Sequence, residues 1–190
     1  MTALENNLAD ADRAISMCLR EKLILPALAV LYSTIDVLGS LDPSDADGTR
    51  GGFTRWVDGY LLKAKALRCT ALDLYAARCG VLHSFSADAA LTRAGKARRL
   101  MYAWGTATAA NLQTAAEITR RTGGTGEYVA IHLTDLFDAF RGGVSLFLAD
   151  LAANPQIAAA AKTKSGTWFT NVSPEKINRL VELDRQRHDA

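Results

Sequence analysis

The chain has 190 residues, of which 49% are hydrophobic and 22% are charged, a balance typical of a single globular domain with enough length for a core. Its formal net charge of +2 excludes a broad basic surface for nucleic acid, so any contact with RNA has to be local. Its acidic start lacks the pattern of a secretory signal, and no apolar run is long enough to span a bilayer. We therefore expect a cytoplasmic protein with no membrane partner.

The sequence pattern in the N-terminal part of the chain predicts two helices. An amphipathic helix is expected from about Leu4 to Leu19. Pro26 fits the first turn of a second helix, where proline is tolerated, and that helix is expected to end near Gly39. Apolar side chains of the second helix recur at spacings of three and four, which predicts a stripe that faces the core: Ile24, Leu28, Leu31, Ile35 and Leu38.

A turn-rich segment and two more helices follow. Residues 42–52 are dense in turn formers and predict an exposed loop. A fourth helix is expected from about Thr70 to Phe85, and Ser86 fits the cap of a short helix after it. Between the loop and the fourth helix, a third helix is expected to turn a largely aromatic face into the core: Phe53, Trp56, Val57, Tyr60 and Leu61.

The pattern changes after Gly95. Alternating large side chains at Leu100 and Tyr102 predict a strand, which Arg98 and Arg99 would open as solvated edge charges. Residues 107–113 fit either a return strand or a helix. The return strand would complete a small β-hairpin.

A long helix is predicted from about Leu133 to Ala153. The adjacent glycines Gly142 and Gly143 cost about 1 kcal/mol each relative to alanine, which predicts close packing against another helix or a subunit. His132 lies at a strand-to-helix junction and is expected to make a structural hydrogen bond. Residues 173–175 are a good helix start, and the sequence leaves open whether the charged C-terminal helix is partly mobile.

Between Leu74 and Phe85, Arg78 carries the only permanent charge and His83 is the only imidazole that could transfer a proton. An arginine buried in an apolar helix costs several kcal/mol unless it is paired. A titratable imidazole beside a permanent cation suits attack on a phosphodiester. On one straight helix the two residues lie about 140° apart. They would line one cleft only if the helix frays or tightens after Gly80, or if a second copy brings two motifs together.

Other interpretations of the same residues stay open. Arg78 can pair with an acid such as Asp36 while His83 caps the helix end, which is a purely structural role. Cys79 stands four residues before His83, so the two can form a thiolate–imidazole pair or half of a metal site. The three cysteines offer neither a disulfide framework nor a second Cys/His pair for zinc, so we expect no metal and no other cofactor.

The segment from Arg78 to His83 resembles the motif of the HEPN superfamily, an arginine followed after four to six residues by a histidine. Residues 33–39, 53–60 and 73–84 resemble the same group. The similarity covers roughly residues 25–104, about half of the chain.

The resemblance implies a mainly α fold, a HEPN-like helical bundle, here with the small β-hairpin. Residues 1–190 would form a single HEPN-like domain, in which residues 1–105 carry the motif and residues 106–190 add helices. It also implies a homodimer whose motifs face a shared cleft. The function implied is a metal-independent endoribonuclease, as in toxins and antiphage effectors, with RNA as substrate and an antitoxin or another protein as partner. The alternative is an inactive RNA- or nucleotide-binding or scaffold protein.

In the active version, His83 would act as a base toward the ribose 2′-hydroxyl or as an acid toward the leaving 5′-oxygen. Arg78 would stabilise the charge on the phosphate, and Asp36 would orient one of the two. This chemistry leaves 2′,3′-cyclic phosphate ends and does not cleave DNA. Cys79 occupies the position after the arginine, where active members often carry a polar residue.

Overall fold

Helices dominate the computed structural model, which describes residues 3–41, 48–122, 126–165 and 173–188. A small sheet of two strands, β1 (Arg99–Ala103) and β2 (Tyr128–His132), accompanies them. The predicted mainly α class is therefore confirmed. The helices in chain order are α1 (Ala3–Arg20), α2 (Ile24–Ser40), α3 (Gly48–Trp56), α4 (Leu62–Ala64), α5 (Ala71–Ser84), α6 (Ala90–Arg93), α7 (Ala109–Arg121), α8 (Leu133–Ala153), α9 (Pro155–Ser165) and α10 (Pro174–His188). A π-helical turn, Val57–Leu61, joins α3 to α4.

Helices α1, α2, α3, α5, α8 and α9 contribute buried side chains to one core, as apolar spacing predicts. α2 lies against α1, α3 and α5, while α8 packs on the π-helical turn and α4. α2 crosses α3 where Gly39 meets Gly52, and a Cβ on Gly39 would lie 2.6 Å from the carbonyl carbon of Gly52. This close approach fixes α2 against α3. The largest fully buried side chains include Tyr32, Ile35, Phe53, Leu61, Leu74, Leu136 and Phe140.

The two adjacent glycines of α8 allow close packing, the role that was predicted because glycine destabilises a helix relative to alanine. A Cβ on Gly142 would lie 2.8 Å from the Cβ of Ala64, and one on Gly143 would lie 3.0 Å from the backbone of Leu61. Their neighbour is thus the end of the π-helical turn and α4 of the same chain. Glycine at these positions lets the two segments approach closely.

The predicted β-hairpin is wrong. β1 and β2 are parallel, in a register that pairs Arg99 with Tyr128 and Ala103 with His132. A parallel pair needs a crossover connection rather than a tight turn, and α7 supplies it. Residues 109–113 are therefore helical, and the Thr108 side chain caps α7 by accepting the Asn111 N–H at 3.1 Å.

Two local expectations also change. Residues 42–47 of the predicted loop lie outside the described residues, whereas Gly48–Gly52 already belong to α3. Ser86 does not cap the next helix. Its Oγ accepts the Asp88 N–H at 2.9 Å in a turn, and α6 begins later, after Ala89.

Arg98 and Arg99 are not solvated edge charges. Arg98 donates to Asp73 from its backbone N–H at 2.7 Å and from Nη2 at 2.7 Å. Asp73 is only 2% exposed and also forms a capping box with Thr70 at the start of α5. Arg99 donates to Asp88 at 2.7 Å, and its side chain is 15% exposed. Asp73 therefore ties the start of β1 to α5, and Asp88 ties it to the segment that follows α5.

Substitution Asp73→Asn is expected to lower the free energy of unfolding by about 2 kcal/mol at pH 7. Burial alone would raise the pKa of Asp73, but hydrogen bonds from Arg98 and Thr70 leave that pKa below its ordinary value. Its contribution to stability is therefore present above about pH 4 and is lost as the pH falls further. Urea unfolding at pH 7 and pH 3 should show the difference between wild type and variant shrinking at pH 3.

The matched control is Asp10→Asn. Asp10 pairs with Arg13 on α1, and both side chains are more than half exposed, so its loss should change stability by less than about 0.5 kcal/mol. An Asp73 variant that is as stable as this control would contradict the structural role of Asp73.

The C-terminal third consists of α8, α9 and α10. The predicted long helix from Leu133 to Ala153 and the helix that begins after Ser173 are both confirmed. No single helix in the described ranges has the length and apolar composition to cross a membrane; α8 and α9 meet those criteria only together, as a pair bent by 112°.

Candidate functional site

The candidate site lies on α5, whose C-terminal end has an unusual geometry. The helix ends at Ser84, and Phe85 adopts the left-handed conformation with φ of 49°. The carbonyl of Gly80 accepts the backbone N–H of Phe85 and, at 3.1 Å, that of Ser86. The chain folds back so closely that a Cβ on Gly80 would lie 2.0 Å from the carbonyl oxygen of Ser86. Glycine between Arg78 and His83 is what permits this turn.

Asp36, the acid expected to hold Arg78, lies directly against it. Asp36 Oδ2 accepts from Arg78 Nε at 2.6 Å and from Nη2 at 2.5 Å, and the pair joins α2 to α5. The side chains are only 14% and 16% exposed. Burial alone would lower the pKa of Arg78, but the hydrogen bond and charge of Asp36 raise it, so the guanidinium remains charged. Asp36 Oδ1 is buried and has no hydrogen-bond partner among the described residues.

Arg78 also reaches His83 along the same helix. Arg78 Nη1 lies 2.9 Å from His83 Nε2. A guanidinium only donates, so Nε2 accepts and the neutral imidazole carries its proton on Nδ1. The two residues lie on different faces of a straight helix, yet their side chains meet, because the arginine side chain is long enough to reach the imidazole. His83 is exposed at the end of α5.

Cys79 also lies beside Arg78, but its other close neighbour is Tyr75 and not His83, as was expected. Its Sγ lies 3.9 Å from Arg78 Nη1, and Cys79 shares the lining of one cavity with Tyr75, whereas no hydrogen bond in the described part of the chain joins it to His83. Burial and the neighbouring Cys79 raise the pKa of Tyr75. The Arg78 guanidinium carbon lies 5.9 Å from the centre of the Tyr75 ring.

Tyr75 was missed by the sequence analysis. Its spacing could have revealed it, because residues three and four apart share a helix face. Tyr75 stands three residues before Arg78 and four before Cys79. Together with Arg50, Tyr75 and Cys79 line an open cavity of about 390 Å³.

Two other residues with potentially reactive side chains, His132 and Cys69, lie outside the group that Arg78 forms with its neighbours. His132 has the structural role that its position predicts, since its Nδ1 accepts the Thr134 N–H at 3.2 Å at the start of α8 and its Nε2 lies 3.3 Å from the Gly105 carbonyl. Burial raises the pKa of the Cys69 thiol to about 12, which keeps it protonated and unreactive. Among the described residues, no group of three histidine, cysteine or acidic side chains is placed to hold a metal ion.

The arrangement places a fixed cation beside an exposed neutral imidazole. The cation can bind an anionic group such as a phosphate, and the imidazole can take up or release a proton. Phe85 follows two residues after His83, and 74% of its surface is exposed, so a large aromatic side chain lies at the protein surface just after α5. Comparison of the chain with protein-family models, with curated proteins and with solved structures found no match.

Proposed function

We propose that the chain is a metal-independent endoribonuclease of the HEPN type that acts in the cytoplasm as a homodimer. The observation that carries this proposal is the hydrogen bond of 2.9 Å from Arg78 to the exposed imidazole of His83. A permanent cation and a proton acceptor thus lie side by side, and Asp36 holds the cation from behind.

A phosphate bound at Arg78 would compete with His83 for the Nη1 donor. The lone pair of Nε2 would then be available to remove the proton of the ribose 2′-hydroxyl. The 2′-oxygen attacks phosphorus while Arg78 stabilises the negative charge on the phosphate oxygens. The bond to the 5′-oxygen breaks, and this oxygen takes a proton from a second, protonated imidazole or from water. The products are a 2′,3′-cyclic phosphate and a 5′-hydroxyl, and DNA cannot react because it lacks the 2′-hydroxyl.

The exposed ring of Phe85 supports a shared cleft between two copies. Phe85 has the largest exposed fraction of the large apolar side chains in the described residues, and contact with a partner would remove that surface from water. A left-handed conformation also costs a phenylalanine about 1 kcal/mol or more, since this region suits glycine. Contact with a second copy at this corner would bury the ring and bring two copies of His83 together.

A second function is favoured by a specific observation. The Asp36–Arg78 pair is mostly buried and joins two core helices, as a purely structural ion pair would. The net charge of +2 supplies little general attraction for RNA. In this alternative the chain is a non-catalytic HEPN-like protein that binds RNA or a nucleotide, or serves as a scaffold, and Arg78 has only a structural role.

Substitution His83→Ala is expected to lower RNA cleavage about 100-fold, because it removes the proton acceptor. The free energy of unfolding should change by less than about 0.5 kcal/mol, since the side chain is exposed. Cleavage of a single-stranded RNA is measured in buffer with a chelator, and mass spectrometry identifies the ends. A DNA of the same sequence should stay intact, and light scattering should give the mass of a dimer.

The matched control is His188→Ala, which removes a histidine near the C-terminus and should leave cleavage unchanged. Wild-type protein that leaves all tested RNA intact would reject the enzyme in favour of the non-catalytic alternative. Cleavage that persists at full rate in the His83 variant would reject this site.

A further inference from the structure

The C-terminal helix α10 has an apolar face that the described part of its own chain leaves open. Every residue from Pro174 to Arg187 is exposed, whereas the long helices α1, α2 and α8 each bury one side. Four large apolar side chains of α10 are between 45% and 56% exposed and fall within an arc of about 160° around the helix: Ile177, Leu180, Val181 and Leu183. The polar residues between them lie on the opposite side: Asn178, Arg179 and Glu182.

An amphipathic helix of this length needs a surface to pack against. α10 has 15 residues, and isolated helices of up to about 15 residues are only marginally stable in water. Most of the stability of a helix in a protein comes from the packing of its apolar face. Because all of its described residues are exposed, that contribution is missing from the single chain.

An apolar groove of about 570 Å³ lies open between α1 and α2. The lining of this α1–α2 groove is mainly apolar and contains no charged residue; its apolar members are Leu8, Ala29, Val30 and Val37. Between Leu23 and Leu41 the only charged residue is Asp36, which is paired with Arg78. The exposed side of α2 therefore lacks the charges of an ordinary protein surface, and such depletion is typical of the centre of an interface.

The groove matches the apolar face of α10 in length. Along α2 it extends from Ala29 to Val37, which is roughly 12 Å of helix, and the apolar face of α10 extends from Ile177 to Leu183, roughly 9 Å. Helices pack by inserting the side chains of one into the grooves of another. The small side chains of Ala29 and Ser33 leave room in the α1–α2 groove for the larger ones of α10.

The area to be covered favours two symmetric contacts. The four apolar side chains of α10 expose roughly 350 Å². If docking covers a similar area of the groove, one contact buries roughly 700 Å², which is less than stable interfaces bury. Two contacts related by a two-fold axis bury roughly 1,400 Å², which is the size of a specific interface.

The path of the chain brings α10 near the groove. At the end of α9, Lys164 Nζ donates to the Ser40 carbonyl at 2.6 Å, at the C-terminal end of α2. Eight residues separate Ser165 from Pro174, so α10 begins at most roughly 30 Å from Ser165. A two-fold axis near this end of α2 therefore brings each α10 within reach of the other copy's groove. The same reach allows α10 to fold back on its own groove, so the experiment has to distinguish the two.

We propose that α10 of a second copy docks in the α1–α2 groove and that two copies exchange this helix reciprocally. Within one copy the two surfaces do not cover each other, and the exchange buries both. A reciprocal exchange closes at two copies, whereas docking in one direction would continue from copy to copy. The interface contains no residue of the Arg78–His83 cluster, so the proposal stands whether or not the chain cleaves RNA.

Photo-crosslinking from position 180 tests the contact. The photoreactive residue p-benzoylphenylalanine replaces Leu180, and unlabelled and isotope-labelled copies are mixed, equilibrated and irradiated. Mass spectrometry should find an α10 peptide of one label joined to a groove peptide of the other label, around Val30 or Val37. The matched control is Arg179→p-benzoylphenylalanine, which carries the same group on the opposite side of α10 and should not crosslink to the groove.

Substitution Val37→Glu is expected to lower the yield of the Leu180 crosslink about tenfold, because docking of α10 would bury an unpaired charge. Val37 is 41% exposed, so the fold should be retained. The matched control, Ala9→Glu, adds the same charge at an exposed position of α1 outside the groove and should leave the yield unchanged.

Crosslinks that join only peptides of the same label would overturn the proposal, because α10 would then pack on its own chain. Absence of a crosslink from position 180 to the groove, or equal yields from positions 179 and 180, would overturn it as well. Equal yields in folded Val37→Glu and Ala9→Glu proteins would place α10 outside the groove. If Val37→Glu fails to fold, the comparison of positions 179 and 180, together with the labels of the joined peptides, decides.

Discussion

Substitution Arg78→Met is expected to lower the free energy of unfolding by about 3 kcal/mol and to reduce RNA cleavage about 1000-fold. The stability loss arises because Asp36 would remain largely buried with no cation to pair with, and its Oδ1 already has no partner among the described residues. The loss of cleavage follows from the missing cation at the phosphate. Urea unfolding measures the first effect, and cleavage of single-stranded RNA measures the second.

A second substitution separates the structural role of Arg78 from the catalytic one. Adding Asp36→Asn to Arg78→Met removes the unpaired charge and should recover about 1–2 kcal/mol of stability without restoring cleavage. The matched control is Arg50→Met at an exposed position of α3, which should change stability by less than about 0.5 kcal/mol. An Arg78→Met protein as stable as this control would show that the ion pair does not stabilise the fold. Restored cleavage in the double variant would remove Arg78 from the catalytic site.

Substitution Gly80→Ala should destabilise the protein by about 3 kcal/mol, the upper end of the usual cost of overpacking. The added Cβ would lie 2.0 Å from the Ser86 carbonyl oxygen, which is backbone and cannot rotate away. The turn after α5 must therefore open, and the two hydrogen bonds from Phe85 and Ser86 to the Gly80 carbonyl would weaken. Because His83 lies within this last turn, its position relative to Arg78 should shift and RNA cleavage should fall with stability.

The control for this experiment is Gly59→Ala. It places the same methyl group on a helical glycine with nothing within 4 Å, so it should stabilise the protein by up to about 1 kcal/mol. Thermal and urea unfolding of both variants give the comparison. A Gly80→Ala protein as stable as Gly59→Ala would mean that the close turn after α5 does not form in solution.

The sequence was sufficient for the elements whose signals are local. The spacing of apolar residues predicts α2 and α8 with nearly correct bounds, because a helix that faces a core repeats its pattern every three to four residues. The two glycines of α8 likewise signal a close contact before its partner is known, because their helix cost needs an explanation. The cost of an unpaired arginine in an apolar helix likewise predicts that an acid pairs with Arg78.

Long-range pairing is where the sequence failed. β1 pairs with β2, which follows it only after a whole helix, and a parallel pair has no tight turn between its strands that the sequence could reveal. The hairpin prediction therefore paired β1 with the nearest candidate segment, residues 107–113. Arg98 and Arg99 look solvated because nothing beside them in the sequence indicates that Asp73 and Asp88 will neutralise them.

The candidate site also has one part that the sequence predicts and another that only the tertiary structure shows. The sequence by itself determined that α5 carries an arginine and a histidine in apolar surroundings, with glycine between them, because these are properties of residue type and order. Only the tertiary structure decided that Asp36 fixes Arg78, that Arg78 reaches His83, and that Tyr75 joins them. The physical reason is that side-chain reach and the packing of α2 against α5 set these distances, and neither is encoded in the spacing along one helix.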